Sequence, residues 1–336
     1  MNGFDEVMTL APRGRTIAVA GAADDVVLKA ISEAYKCGII SGGVFAAANA
    51  GCEDRARELG LEGFQVVEGG TDADVCASAV RAVRDGQCDI LMKGFVQTRD
   101  FMRAVLDRDR GLATGRVLSQ TGVYEIPGLD RILLMADVGI VISPTLEQKI
   151  QIVEGALDVA YALGIARPRV AMLSCVETIN PAIPGNADAC LVAAMGRRGQ
   201  LDGARKVRPA RGRGTGNPGC CGDDGGAGGA GAGIGANAVC GGPLVDGPLA
   251  LDNAISPEAA SHKGITSQVA GRADILITPD LNSGNMLAKS AIYFAGAGAA
   301  GIVTGATRPI VLTSRADSDA TKLHSIAVAA LMGAYS

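Results

Sequence analysis

The sequence predicts an α/β protein with a largely parallel sheet, folded as two packed domains. The chain has 336 residues, which is too long for one small core and suits two domains. Hydrophobic residues make up 48% of the chain, so apolar material for a sizeable core is available. Short β-rich runs alternate with amphipathic helical stretches, which is the pattern of a parallel sheet covered by helices.

Eight short runs rich in aliphatic residues are the predicted strands, and one helical pattern stands out. After Pro144, Thr145 and Gln148 have the spacing of a capping box, and apolar residues then recur every three or four positions. Gly164 ends this helix and a strand resumes at Arg169, which gives a strand–helix–strand unit. The predicted strands cover residues 16–21, 43–46, 65–67, 90–92, 138–142, 169–173, 275–278 and 309–313.

Composition excludes several classes of partner. The chain has no Trp, 3% aromatic residues and a net charge of -4, so neither a stacking platform for nucleic acid nor a general polyanion surface is expected.

The N-terminus has no signal-peptide pattern. The uncharged stretch 290–307 contains four glycines and is interpreted as a helix end, a turn and a buried strand, not as a membrane span. Nine cysteines without disulfide-like spacing favour a cytoplasmic location.

One segment breaks the alternating pattern. Glycine supplies 14 of the 31 residues in 212–242, so the segment has too little apolar surface to offset the entropy of ordering it. We interpret 204–242 as a glycine-rich, disordered insertion. A nucleic-acid-binding arm and a reading-frame artefact are the alternatives. The basic residues that suggest an arm are Arg205, Lys206, Arg208, Arg211 and Arg213.

The segment 314–318 is the strongest candidate for chemistry. It follows the predicted strand 309–313 and precedes a helical pattern, so Ser314 and Arg315 fall between a strand's carboxyl end and a helix N-terminus. Ligands gather at that position in open α/β sheets, and free backbone N–H groups there favour anions. Asp317 or Ser318 has a second interpretation as a helix N-cap. Capping and catalysis both stay open on position alone.

Three further polar segments are interpreted as strand ends, at 92–98, 245–253 and 279–285. Each is a weak signal alone, but together they suggest one cleft assembled from two domains. Other chemistries lack their motifs: no dinucleotide-binding glycine pattern, Walker A loop or nucleophile elbow is present. The two histidines have no partner at metal-ligand spacing, so no metal site is predicted. His324 is interpreted as structural, and His262 beside Lys263 as either structural or substrate-binding.

Five motifs in a fixed order carry a resemblance to a known family. They are MKGFVQT (92–98), VDGPLALDNAIS (245–256), SHKGIT (261–266), VAGRADILITPDLNSGN (269–285) and PIVLTSRADS (309–318). The chain resembles the phosphate acetyl/butyryl transferases, most closely the butyryltransferase branch. The resemblance runs from about residue 89 to the C-terminus and is interrupted by the glycine-rich segment.

The resemblance implies a two-domain fold like that of isocitrate and isopropylmalate dehydrogenases, with the active site in the interdomain cleft. It implies one domain from 1–140 plus 302–336, a second from 141–301, and a homodimer. The implied reaction moves an acyl group between coenzyme A and phosphate, so acyl-CoA, inorganic phosphate and acyl phosphate are the expected partners, and no cofactor is expected. The alternatives are a metal- or NAD-dependent dehydrogenase on the same fold and a non-catalytic ligand-binding or assembly homologue.

The resemblance also implies roles for individual residues. Ser314 and Arg315 match residues that work at the reacting centre, and Arg103 matches one that helps to hold phosphate or coenzyme A. The acetyltransferase base is an aspartate seven residues after the serine, which is Thr321 here; Asp317 and Asp319 are therefore the candidate bases. The predicted substrate-binding residues are Lys93, Thr98, Arg103, Asp246, His262, Asp280, Asn282, Ser283, Gly284 and Asn285.

Overall fold

The computed structural model describes residues 1–48, 51–201 and 242–333, so the predicted insertion at 204–242 lies outside them except for its last residue. The strands are β1 (Arg15–Ala20), β2 (Ile40–Ala47), β3 (Phe64–Glu68), β4 (Ile90–Lys93), β5 (Ser119–Glu125), β6 (Leu133–Ala136), β7 (Arg169–Leu173), β8 (Leu244–Leu249), β9 (Ile275–Ile277), β10 (Gly298–Thr304) and β11 (Ile310–Val311). The helices are α1 (Phe4–Leu10), α2 (Asp25–Lys36), α3 (Gly51–Glu58), α4 (Asp72–Arg84), α5 (Thr98–Val105), α6 (Leu146–Ala162), α7 (Asn186–Arg197), α8 (Leu251–Ile255), α9 (Pro257–His262), α10 (Leu281–Tyr293) and α11 (Asp319–Gly333).

Within the described residues all strands belong to one sheet, in the order β3-β2-β1-β4-β11-β10-β5-β6-β9-β7-β8. The first five strands of that order are mutually parallel, and so are the last four. Between the two parallel blocks, β10 runs antiparallel to β11 and to β5, and β5 runs antiparallel to β6. The predicted α/β fold with a largely parallel sheet is confirmed, and the antiparallel seam at its centre is an addition that the sequence did not predict.

The predicted strand at 138–142 is wrong, whereas each of the other seven predicted strands overlaps an observed one. The strand in this region is β6, which ends at Ala136. The Asp137 carboxylate then accepts the backbone N–H groups of Gly139, Ile140 and Val141. Because an aspartate side chain that bonds the following N–H groups competes with strand pairing, residues 137–141 form a turn. The capping box at Thr145 is confirmed at the start of α6.

The helices cover the two faces of the sheet differently. On one face α1, α2, α6, α7 and α11 contribute to a single apolar cluster that extends under both parallel blocks. On the other face the apolar residues divide into two clusters. One contains residues of α4 and α5 and lies over β1, β4 and β11; the other contains residues of α8 and α10 and lies over β6, β7 and β9. The division between the two clusters runs along the antiparallel seam, and we refer to it as the groove.

The boundaries 1–140 plus 302–336 and 141–301 stay a prediction for the two domains. One continuous sheet passes through both segments, and the seam strands β5 and β10 join them.

Candidate active site

The floor of the groove is formed by alternate residues of the seam strands. On β5, the preceding Leu118 belongs to the cluster over the first block and Tyr124 belongs to the cluster over the second. Since side chains two positions apart lie on the same face of a sheet, Gln120 and Gly122 between them face the groove. Gly301 of β10 pairs with Gly122 and shares this face. A Cβ at Gly122 would overlap the Tyr124 ring, and a Cβ at Gly301 would lie 3.0 Å from Gln120 Nε2. The two glycines therefore leave room for the side chains of Tyr124 and Gln120, which lie over this part of the sheet.

The Ser314 loop follows β11 and is supported from within by a buried lysine. The backbone N–H of Ser314 donates to Asp317 Oδ2 at 2.6 Å. Lys322 of α11, which is 3% exposed, donates from Nζ to the carbonyl oxygens of Asp317 at 2.6 Å and of Ser314 at 3.4 Å. These bonds turn the loop carbonyls inward, and the side chains of Ser314 and Arg315 are exposed at its outer surface.

Arg315 joins this loop to the loop that follows β4. Its Nη2 donates to the Val96 carbonyl oxygen at 3.4 Å, and its guanidinium carbon lies 5.1 Å from the centre of the Phe95 ring. That distance is typical of a cation–π contact. The structure therefore brings Arg315 against the predicted MKGFVQT motif.

Lys93 ends β4 beneath the same contact and is 2% exposed. Its Nζ donates to the Gly94 carbonyl oxygen at 3.3 Å. Burial lowers the pKa of Lys93 below that of an exposed lysine, and the positive charges of Arg315 and Lys322 lower it further. Three cationic side chains thus meet at the carboxyl ends of β4 and β11. The Asp317 carboxylate raises the pKa of both lysines and so offsets part of this positive charge.

The predicted PDLNSGN motif forms the N-terminus of α10 as expected, and part of it serves the helix itself. Asp280 is the N-cap: its Oδ1 accepts the Ser283 N–H at 2.8 Å and the Ser283 hydroxyl at 3.1 Å. Gly284 lets the helix approach the turn after β6, because a Cβ at this position would overlap the Asp137 carbonyl oxygen. Asn285 Nδ2 donates to the Val138 carbonyl oxygen at 3.1 Å. Asn282 is exposed.

The turn 137–141 connects this helix with the seam, and sequence reasoning missed it. Asp137 is 3% exposed. Besides the three N–H groups of its own turn, it accepts the Gln120 N–H at 3.1 Å. Burial raises the pKa of Asp137, and the four N–H donors oppose that shift. An aspartate and a glycine directly after the apolar run 132–136 were the available signal, but the apolar residues 138, 140, 141 and 142 favoured a strand.

Two predicted substrate residues lie away from the Ser314 loop. Asp246 is inside β8 and not at its end, and its carboxylate lies 3.6 Å from Arg197 Nη1. His262 is the exposed last residue of α9. The lysine that follows it, Lys263, forms ion pairs with Glu177 and Asp252. No hydrogen bond or ion pair between the described residues joins either predicted residue to the Ser314 loop.

The two candidate bases have different surroundings. Asp317 is half-buried and contacts the Ser314 N–H, whereas Asp319 is exposed at the start of α11 and accepts the Ala320 N–H at 2.9 Å. Thr321 donates its N–H to Ser318 Oγ at 3.2 Å, which makes Ser318 a cap of α11. The structure therefore places one of the two aspartates against the predicted catalytic serine.

The two residues predicted on α5 are both on its surface. Thr98 is its exposed first residue, and the Arg103 side chain is 67% exposed, 4.0 Å from Asp100.

In the part of the chain that the structure describes, no group of three or more His, Cys, Asp or Glu side chains is arranged to hold a metal ion.

Comparison with known proteins identifies the family. Residues 64–205 and 239–330 match the family described as "Phosphate acetyl/butaryl transferase". The phosphate butyryltransferase of Clostridium acetobutylicum is 37% identical over 324 residues, with 95% of this chain and 93% of that protein covered. The phosphate acetyltransferase of Thermotoga maritima is 36% identical, with 95% of each chain covered.

Solved structures agree with this assignment. The crystal structure of a branched-chain phosphotransacylase from Enterococcus faecalis V583 matches with a TM-score of 0.76 and 28% identity, and covers 96% of this chain and 100% of that one. A putative 4-hydroxythreonine-4-phosphate dehydrogenase from Salmonella typhimurium matches with a TM-score of 0.52 at 10% identity, which shows the fold alone. The predicted dehydrogenase-like fold class is therefore confirmed, and the chain belongs to the phosphate acetyl/butyryl transferase family.

Proposed function

We propose that this chain transfers a short acyl group between coenzyme A and inorganic phosphate in the groove beside Ser314. The observation that carries the proposal is the contact of Arg315 with the loop after β4 above buried Lys93. This contact supports a site at one end of the groove, beside the loops that follow β4 and β11. The site would contain a hydroxyl, a guanidinium and a buried ammonium. Relatives named for the same reaction with acetyl and butyryl groups support the substrate class.

The cationic end of the groove is the proposed phosphate subsite. Arginine presents its N–H groups in a fork that matches two phosphate oxygens, and Arg315 is exposed. Lys93 adds a point charge from below. Arg103 is exposed on α5, and we propose that it contacts phosphate or coenzyme A from the rim. Thr98, Asn282 and Asn285 are exposed polar groups that are available to orient the remainder of the substrate.

The proposed reaction is acyl phosphate + CoA-SH ⇌ acyl-CoA + phosphate. A thiol of pKa about 8.5 is mostly protonated at neutral pH, so a base removes its proton. The thiolate forms a C–S bond with the acyl carbon, and negative charge develops on the carbonyl oxygen. Ser314 Oγ donates to that oxygen, a contribution typically worth about 10²–10³ in rate. The C–O bond to phosphate then breaks, and phosphate leaves with the electron pair. No P–O bond is broken, and we propose that no cofactor takes part.

Asp317 is the proposed base. Its carboxylate contacts the backbone of Ser314, whereas that of Asp319 bonds its own helix. The Asp317 carboxylate accepts one N–H through Oδ2, which leaves lone pairs for the thiol proton. Asp246, His262, Asp280 and Ser283 have structural contacts or lie apart from this loop, and their predicted binding roles stay predictions.

The direct test is an assay of the purified chain without added metal. We expect release of free CoA thiol from acetyl-, propionyl- or butyryl-CoA that depends on inorganic phosphate, with acyl phosphate as the second product. Thiol release that does not require phosphate, or none with any of the three thioesters, contradicts the proposal. Turnover that needs NAD or a divalent metal instead favours the dehydrogenase alternative.

Arg315→Gln removes the guanidinium but keeps a polar side chain of similar length. We expect the KM for phosphate to rise and kcat/KM for phosphate to fall about 100-fold, since a charge-assisted bidentate contact is lost. Steady-state kinetics with varied phosphate measures this. Arg57→Gln is the matched control, because Arg57 is an exposed arginine paired only on its own helix α3. Unchanged kinetics in Arg315→Gln would refute the phosphate-binding role.

The lowered pKa of Lys93 predicts a pH dependence with a definite sign. Lys93 attracts phosphate only as the ammonium, and its lowered pKa means that this form is lost at a lower pH than in an ordinary lysine. Above pH ~8 inorganic phosphate is already a dianion and its charge stays constant, because its second ionisation occurs near neutral pH. The KM for phosphate should therefore rise as the pH increases through the pKa of Lys93.

Lys93→Arg supplies the matched variant for this pH dependence. A guanidinium stays charged over the whole range, so the alkaline rise in KM should disappear in this variant. Lys93→Met should instead show a high KM at every pH. If wild type and Lys93→Arg lose phosphate affinity in parallel as the pH rises, a group other than Lys93 is responsible.

We also propose that the chain forms a homodimer through α10. Three of its apolar side chains are exposed: Met286 by 64%, Tyr293 by 67% and Phe294, at its C-cap, by 89%. Met286 and Tyr293 are seven residues apart and therefore share a helix face. Light scattering should give twice the chain mass of 33.9 kDa, and Tyr293→Asp should shift the mass toward that of one chain. A single-chain mass for the wild type would exclude the dimer.

A cytoplasmic location is proposed on chemical grounds. The described cysteines 37, 76, 88, 175 and 190 are free thiols, which suits a reducing compartment. Among the helices that the structure describes, none is both long enough and apolar enough to cross a bilayer.

A further inference from the structure

We infer that Gln120 is a positioning residue that holds the Ser314 loop in register with the N-terminus of α10. The inference rests on the proposed acyl transfer, because it concerns how the two sides of that groove are aligned. Gln120 stands at the floor of the groove, and its hydrogen bonds run to both sides.

The side-chain amide of Gln120 extends across the seam toward the Ser314 loop. Gln120 pairs with Val303 of β10, yet its Nε2 donates to the carbonyl oxygen of Leu312 on the far side of β10, at 2.9 Å. Leu312 precedes Ser314 by two residues. The bond therefore fixes the end of β11 from which the Ser314 loop departs.

The backbone of the same residue binds the turn after β6. Its N–H donates to Asp137 Oδ1 at 3.1 Å, and its carbonyl oxygen accepts the Val138 N–H at 3.1 Å. The Val138 carbonyl oxygen in turn accepts Asn285 Nδ2 of α10. One residue thus links Leu312 on one side of the groove with Asn285 on the other, through three hydrogen-bonded steps.

The surrounding glycines leave room for this amide. A Cβ at Gly139 would overlap Gln120 Oε1, and a Cβ at Gly301 would lie 3.0 Å from Nε2. The amide is therefore confined between the turn 137–141 and β10, in one orientation. Val138 belongs to the apolar cluster over the second block and Ile140 packs against the cluster over the first, so the turn crosses the groove directly at Gln120.

A role in alignment has a kinetic consequence that a role in stability alone lacks. Displacement of a catalytic group by about 1 Å can lower a rate about 100-fold without weakening substrate binding in proportion. Gln120 bonds the backbone of Leu312, just before Ser314, and does not bond the side chain of Arg315. Loss of its amide should therefore lower kcat more than it changes the KM values.

Gln120→Met tests this with a side chain of similar length that has no donor. We expect kcat to fall about 10–100-fold, with the KM values for phosphate and coenzyme A changed less than about threefold. The matched control is Gln151→Met. Gln151 is a half-buried glutamine whose Oε1 accepts the Val117 N–H at 2.7 Å on the other face of the sheet, and this variant should keep the wild-type kcat. Equal kcat in Gln120→Met and the wild type overturns the inference.

Gln120→Glu allows a recovery of kcat at low pH that a purely structural role would not show. The ionised carboxyl cannot donate to the Leu312 carbonyl, whereas the protonated carboxyl can. The kcat deficit of this variant relative to the wild type should therefore narrow as the pH falls. A deficit that is constant with pH contradicts the inference, and this comparison carries the kinetic test should Gln120→Met fail to fold.

Hydrogen–deuterium exchange separates failure of this inference from failure of the proposed function. The N–H groups of Ser314 and Asp317 are hydrogen-bonded within the loop, and they should exchange faster in Gln120→Met than in the wild type or Gln151→Met. If the wild type shows no acyl transfer, the proposed function fails, and the exchange rates of Gln120→Met alone test the positioning role. Unchanged exchange at 314–317 refutes that role. Faster exchange confined to this loop and to 137–141 supports it.

Discussion

The reversal of strand direction at the centre of the sheet is the constraint on which the rest of the structure depends. The helices α5 and α10, which lead from β4 into β5 and from β9 into β10, lie on the same face of the sheet but belong to different apolar clusters. That face is therefore covered by two separate helix groups. The division between them is the groove, and the carboxyl ends of β4 and β11 border it.

Charge is concentrated at one end of this groove at an energetic cost. Lys93 and Lys322 are both nearly fully buried, and burial lowers the pKa of each. Lys322 compensates through two loop carbonyls and nearby aspartates, whereas among the described residues Lys93 Nζ has one hydrogen bond, to the Gly94 carbonyl at 3.3 Å. A group that remains under-bonded in the free protein gains most when an anion arrives, since the desolvation cost has already been incurred in folding. A phosphate beside Lys93 would satisfy that requirement.

Sequence similarity and local geometry answer different questions about this protein. Similarity over nearly the whole chain establishes the family, but the relatives are named for both acetyl and butyryl transfer. Geometry distinguishes residues that serve their own secondary structure from residues that face the groove. Asp280 and Ser283 form a helix cap and Asp246 pairs with Arg197, although all three belong to the family motifs. Motif membership alone therefore does not separate contacts within the protein from contacts with substrate, and the binding roles of these three residues stay predictions.

The sequence by itself determined the alternation of strands and helices, the start of α6 at its capping box, and the family motifs with Ser314 and Arg315 after a strand. These are local properties, fixed by periodicity and by short-range hydrogen bonds. Only the tertiary structure decided the antiparallel seam, the turn at Asp137 and the hydrogen bonds of Gln120. Each of these depends on partners far apart in the chain, such as Gln120 and Leu312, and a single polar residue in a mixed segment has no sequence pattern that indicates which distant carbonyl it will bond.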